Sequence, residues 1–146
     1  MVNMREAFFD ESDDLITNWL DHNEEFDRYI FTKVAGVSFQ NRDGSFRQTI
    51  LSICKPLDRL VLKRELDNPV SKMAISVSLE TGEQIGYLNS RLGEETCKRM
   101  GKGERWISFM VRVVGRDRDC MGATIVIVKL KKKKDDVRTS SLKPTL

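Results

Sequence analysis

The stretch that most limits how this chain can fold is Arg64 to Val77, RELDNPVSKMAISV. Asp58 to Glu65 (DRLVLKRE) reads as a strand, and Asp67-Asn68-Pro69 must end it. Proline has no amide hydrogen for a sheet ladder, and its ring holds φ at about −65°. Met73 to Leu79 (MAISVSL) then alternates apolar and polar residues, the period of a half-buried strand. Thr81-Gly82-Glu83 is a tight turn into a fourth short strand, Gln84 to Leu88.

The rest of the chain extends this pattern. Tyr29 to Phe39 (YIFTKVAGVSF) is rich in β-branched and aromatic residues and predicts the first strand. Asn41-Arg42-Asp43-Gly44 is a turn signal, and Phe46 to Cys54 predicts a short helix burying Phe46, Ile50 and Cys54 before Pro56 stops it. Asn89 or Ser90 caps a helix to about Met100, with Glu94 as its capping-box acid, and Gly101 and Gly103 end it. Trp106 to Val114 and Ala123 to Leu130 predict two more strands around a polar loop, Gly115 to Gly122. At the start, Ser12 is a candidate N-cap. Leu15, Ile16, Trp19 and Leu20 follow at helical spacing, with Phe26 extending the stripe. Many short strands with few helices predict an α+β, mainly β protein: a small OB-like or SH3-like barrel with an N-terminal helix and one inserted helix. The expected domains are an acidic helical extension over 1–28, a barrel over 29–130 and a basic disordered tail over 131–146.

Charge divides along those bounds. Residues 1–28 hold nine acids and two bases, a net −7, while residues 29–146 hold thirteen acids and twenty-three bases, a net +10. Such a split points to a nucleic-acid or membrane-surface partner, or to a solvated acidic helix ahead of an ordinary basic domain. No run approaches the ~20 apolar residues that cross a bilayer, and nothing at the start reads as a signal peptide. Three widely spaced cysteines, Cys54, Cys97 and Cys120, argue against a disulfide framework and for a reducing, cytoplasmic setting; Cys97 and Cys120 read as packing residues.

Catalytic and metal chemistry find little support. The single histidine, His22, lies in the acidic segment and reads as solvated helix surface, since acid–base work would need it near the core domain. No cysteine pair has zinc-ligand spacing, so neither metal nor cofactor is expected. Gly101-Lys102-Gly103 is a helix stop rather than a phosphate loop, which needs a longer Gly-rich turn ending in Gly-Lys-Ser/Thr.

Taken in order, Val34-Ala-Gly-Val-Ser-Phe, Phe46-Arg-Gln after Asp43-Gly44, Arg64 through Asn68-Pro69 to Ala74-Ile-Ser-Val, and Ile85-Gly-Tyr-Leu resemble the HIRAN domain over Tyr29 to Leu130. The resemblance implies a barrel similar to oligonucleotide-binding folds. It also implies a non-catalytic module of DNA repair or processing that binds single-stranded DNA or DNA 3′ ends, in the company of helicases or nucleases. Stacked aromatics and phosphate-binding cations suit that task. By position, Phe39 and Tyr87 match the family's stacking aromatics, Asn68 and Pro69 its turn, and Lys72 a neighbouring base. Ser38 stands where the family has arginine, Val70 where it has tyrosine, and Ser71 where it has the aspartate that meets the 3′ hydroxyl. The implied nucleic-acid site is therefore Phe39, Arg64, Asn68, Ser71, Lys72 and Tyr87.

Each residue also has a plainer explanation. Phe39 and Tyr87 can be core rings, Arg64 can pair with an acid, Asn68 can bond the turn backbone and Lys72 can simply be solvated. The substitutions at Val70 and Ser71 favour a rival function, a protein-interaction or regulatory module without DNA-end recognition.

Overall fold

The computed structural model describes residues 11–132. In chain order its elements are α1 (Glu11–Asp21), β1 (Phe26–Lys33), α2 (Arg47–Ser52), β2 (Arg59–Glu65), β3 (Ala74–Leu79), β4 (Gln84–Tyr87), α3 (Ser90–Gly101), β5 (Trp106–Val114) and β6 (Gly122–Leu130). The strands form one sheet in the order β1-β6-β5-β2-β3-β4, antiparallel throughout. The sheet curls until its two edges meet just past β1. There Ala35 N donates to Tyr87 O at 2.7 Å and Tyr87 N to Ala35 O at 2.9 Å. Gly86 makes this closure possible: a Cβ at that position would stand 2.3 Å from Ala35 O, inside any tolerable contact. This is the α+β, barrel-like fold that the strand pattern predicts.

At β6 the sheet is buried on both sides, whereas β2 alternates between buried and exposed positions. Ile125, Val126, Ile127 and Val128 are all fully buried, so this run is apolar at four successive positions instead of alternating. Ile125 and Ile127 face the barrel interior with Leu60, Leu62, Ile75, Val77, Ile85 and Met110. Val126 and Val128 face outward, where Ile16 and Leu20 of α1 cover them together with Val111. Ile16 and Leu20 lie four residues apart on one helical face, and burying each contributes about 1.5–3 kcal/mol. Trp19 adds edge-to-face contacts with Phe26, at 5.5 Å, and Phe109, at 5.1 Å. The acidic segment is thus docked through its apolar stripe. The interior is closed from α2 by Ile50, Leu51 and Cys54, and from α3 by Cys97 with Leu92 and Met100. Burial pushes the Cys54 thiol above its ordinary range, as expected of an inert packing residue.

Local signals fix the helix ends. Asn89 caps α3 by accepting from Leu92 N at 3.0 Å. Gly103, at φ +96°, closes it: Gly103 N donates to Met100 O and Glu104 N to Arg99 O, the paired bonds of a Schellman stop.

Several expectations need correction. The first strand runs over Phe26–Lys33 rather than Tyr29–Phe39, because at Val34 the chain turns to meet β4 and residues 36–40 form a loop. Phe26 opens that strand instead of extending α1, though it still packs on Trp19. Ser12 lies inside α1, so the cap falls outside the described residues. With Asn89 as the N-cap, Glu94 stands two residues past the capping-box position, Leu92, and pairs with Lys98 at 3.3 Å instead. Phe46 is exposed, while its neighbour Arg47 takes the buried position. Cys120 is exposed, unlike Cys54 and Cys97. The tail beyond Lys132 lies outside the described residues, and none of the described helices is long and apolar enough to cross a membrane.

Candidate functional site

A groove of about 450 Å³ opens where β4 meets the loop after β1. Four separate stretches build it. The loop after β1 gives Ala35, Gly36 and Phe39, and the turn and helix beyond give Arg42 and Arg47. The turn after β2 gives Asn68 to Ser71, and the end of β4 with the first turn of α3 gives Tyr87, Leu88 and Ser90. Among the described residues its charged lining is two arginines, with no carboxylate.

Each wall is held by directed bonds. Asn68 folds its own turn: Oδ1 accepts from Val70 N at 2.8 Å and Ser71 N at 3.0 Å, the arrangement of an Asx turn. Its Nδ2 donates to Glu65 Oε1 at 3.0 Å, and Tyr87 Oη donates to that same oxygen at 2.8 Å. Glu65 therefore ties the proline turn to the Tyr87 ring from behind. Ser71 Oγ accepts from Met73 N at 3.2 Å, which leaves its own hydrogen able to donate. On the opposite wall Gln48 pins the loop that carries Phe39. Its Nε2 donates to Val37 O at 3.0 Å and Met121 O at 2.9 Å, and its Oε1 accepts from Met121 N at 2.7 Å. Phe39 itself is 67% exposed, so it is not a core ring. Tyr87 is half-buried, with the Arg47 guanidinium 5.4 Å from its ring centre.

The six residues singled out from sequence thus divide. Phe39, Asn68, Ser71 and Tyr87 come together on the groove. Lys72 is exposed between two lining residues, Ser71 and Met73, but does not line the groove itself. Arg64 lies elsewhere, on the opposite face of β2 from Glu65, with its guanidinium against the C-terminal end of α3: a Cβ on Gly101 would stand 3.4 Å from its Nη1. Sequence reasoning missed Arg42, Arg47 and Gln48. Phe46-Arg-Gln was visible as a string, but only the fold reveals that Arg47 and Gln48 turn inward. A smaller concavity of about 290 Å³ lies across Tyr87 and shares Arg42, Arg47 and Tyr87 with the groove; Asp43 and Glu65 line it. Asp43 accepts from Ser45 Oγ at 2.6 Å and Ser45 N at 2.9 Å, and these bonds hold its carboxyl below its ordinary value. Among the described residues no cluster of three or more His, Cys, Asp or Glu side chains could hold a metal ion. Helix α1 lies over the outer face of β5 and β6 and contributes nothing to the groove lining.

Comparison with known proteins agrees with the geometry. The crystal structure of the HIRAN domain of human HLTF superposes with a TM-score of 0.56 at 17% identity, covering 77% of this chain and 84% of that one. A Lactobacillus plantarum protein of known structure gives 0.58 at 16% identity, covering 72% of this chain and 98% of that one. No curated protein matches the sequence. The HIRAN domain family model matches residues 28–131, which take in all six strands save the first two residues of β1, both helices around the groove and every residue that lines it, and the chain belongs to the HIRAN domain family.

Proposed function

We propose that this protein is a non-catalytic nucleic-acid-binding module that takes the end of a single DNA strand, with the 3′ terminus as its target, in DNA repair or processing alongside helicases or nucleases. The observation that carries this reading is the convergence of Phe39, Tyr87 and the Asn68–Ser71 turn on one groove with two arginines and no carboxylate. An exposed ring and a half-buried ring offer stacking surfaces that serve any base, each stacked base being worth about 1–3 kcal/mol. The Ser71 hydroxyl offers a neutral hydrogen bond to a terminal hydroxyl. Arg42 and Arg47 supply positive charge beside them.

Fluorescence anisotropy with a short labelled oligodeoxynucleotide tests the proposal. The full chain should bind single strands at low salt and weaken as salt rises. Capping the 3′ hydroxyl with a phosphate should weaken binding, whereas capping the 5′ end should not. No binding at low salt would sink the proposal, and equal sensitivity to both caps would remove the 3′ preference.

One observation favours the rival, a protein-interaction module. Val70, at the tip of the proline turn, is 94% exposed, with exposed Leu66 nearby in sequence. If this apolar tip is the working surface, Val70→Asp abolishes partner capture in a pull-down that survives nuclease treatment, while the wild-type chain shows no oligonucleotide binding at low salt.

A further inference from the structure

The groove contains a buried cation without a counter-ion among the described residues. Arg47 is only 7% exposed. Its Nε donates to Asn41 Oδ1 at 2.7 Å and its Nη1 to Gly36 O at 2.7 Å, so two of its five N–H donors meet neutral protein acceptors. No carboxylate of the described residues pairs with it. Buried charge without a partner is costly, and a guanidinium is rarely left so unless something completes it. The Tyr87 ring offsets part of that cost. Arg47 lines both the groove and the smaller concavity, so it stands where the two meet. Asn41 is itself held in place: its Nδ2 donates to Gln84 O at 2.9 Å and Ser45 Oγ at 3.1 Å. The guanidinium is therefore fixed before any ligand arrives.

We infer that Arg47 is an anion anchor that takes the last phosphodiester of the bound strand, while its other face holds the Tyr87 ring ready for the adjoining base. The inference rests on the nucleic-acid reading above. A planar fork with spare donors suits two oxygens of one phosphate, and among the described residues the groove lining itself carries no carboxylate, Asp43 and Glu65 lining only the smaller concavity. Pre-fixing by Asn41 and Gly36 means that little side-chain freedom is lost on binding.

The test compares two oligodeoxynucleotides on the full chain, one normal and one whose last phosphodiester is a neutral methylphosphonate. The wild type should lose affinity by about 10- to 100-fold on the neutral linkage, the range of a hydrogen-bonded charge contact. Arg47→Gln should bind the normal strand as weakly as the wild type binds the neutral one, and should no longer distinguish the two. If Arg47→Gln distinguishes them as well as the wild type does, the inference is overturned while the nucleic-acid reading stands. If the wild type binds neither strand, both fall. Should Arg47→Gln fail to fold, nitrogen NMR of the Arg47 guanidinium in the wild type decides: its signals should move with the normal strand and stay with the neutral one. Signals that move equally with both, or with neither, overturn the anchor.

Discussion

The two covered surfaces of the sheet are built in opposite ways. Under α1, Ile16 and Leu20 meet Val111, Val126 and Val128 through apolar contact, with a hydrogen bond from Tyr29 Oη to Asp21 at the helix end. At the groove, four distant stretches are positioned by hydrogen bonds from Arg47, Gln48, Asn68 and Glu65. Apolar burial is non-directional and scales with area, so the α1 face supplies stability and tolerates shape change. Hydrogen bonds fix geometry but contribute modest net stability, so the groove supplies precision at little energetic gain. The two regions should therefore fail separately. Damage to one should cost folding energy, and damage to the other should cost binding.

The largest expected effect tests the first half of that contrast. Leu20 is 2% exposed and is wedged against β5 and β6. Leu20→Ala should destabilise the fold by about 2–5 kcal/mol through lost burial and the cavity left behind. Urea denaturation measures this as a lower midpoint with an unchanged slope. Under conditions where the variant remains folded, its affinity for single strands should match the wild type. A matching loss of affinity would show that α1 and the groove are coupled, and the contrast would break.

The converse substitution is Phe39→Ala. The ring is mostly exposed and its loop is pinned by Gln48, so stability should change by no more than about 0.5 kcal/mol. Affinity should fall by about 1–3 kcal/mol, or roughly 5- to 150-fold, if the ring stacks on a base. Unaltered affinity together with lower stability would make Phe39 a structural residue after all.

The same contrast explains what could be read from the sequence. Strands and helices follow from periodicity and from turn residues, which are local. The proline turn at Asn68-Pro69 and the Gly103 stop therefore stand where the sequence puts them. Phe39, Asn68, Ser71 and Tyr87 were legible as site residues because each sits in a recognisable string. Arg47 was not, since a charged residue beside an aromatic ordinarily points outward, and here the aromatic does so instead. Its inward turn is decided by Gly36 O and by Asn41, which is itself held against β4 through Gln84 O, and the position of that loop is set only by the folded sheet. Arg64 failed for the converse reason. Its position in the string says nothing of which face of β2 it occupies at the barrel end, and the one-residue step from Glu65 puts it on the far side.

The smallest expected effect concerns Asp43, which supports the groove from a distance through the turn that presents Asn41. Its carboxylate accepts from the Ser45 hydroxyl and amide, and that turn also holds Asn41 N against Ser45 O at 2.8 Å. These bonds favour the charged form, so the folded-state pKa lies below the ordinary value of 3.8. A lowered pKa contributes stability that is fully present above the unfolded value. That contribution is lost as pH falls from 3.8 through the lower folded value. The Ser45 amide resonance should therefore titrate with a midpoint below 3.8, and Asp43→Asn should abolish the titration. Because Asp43 is fully exposed, solvent screens the interaction, and global stability should barely respond. Groove affinity in Asp43→Asn should fall less than in Phe39→Ala, since the turn loosens while Arg47 keeps its bond to Gly36 O. A midpoint at or above 3.8 would mean that the Ser45 bonds do not favour the carboxylate, and the turn's hold on Asn41 would then owe nothing to the Asp43 charge.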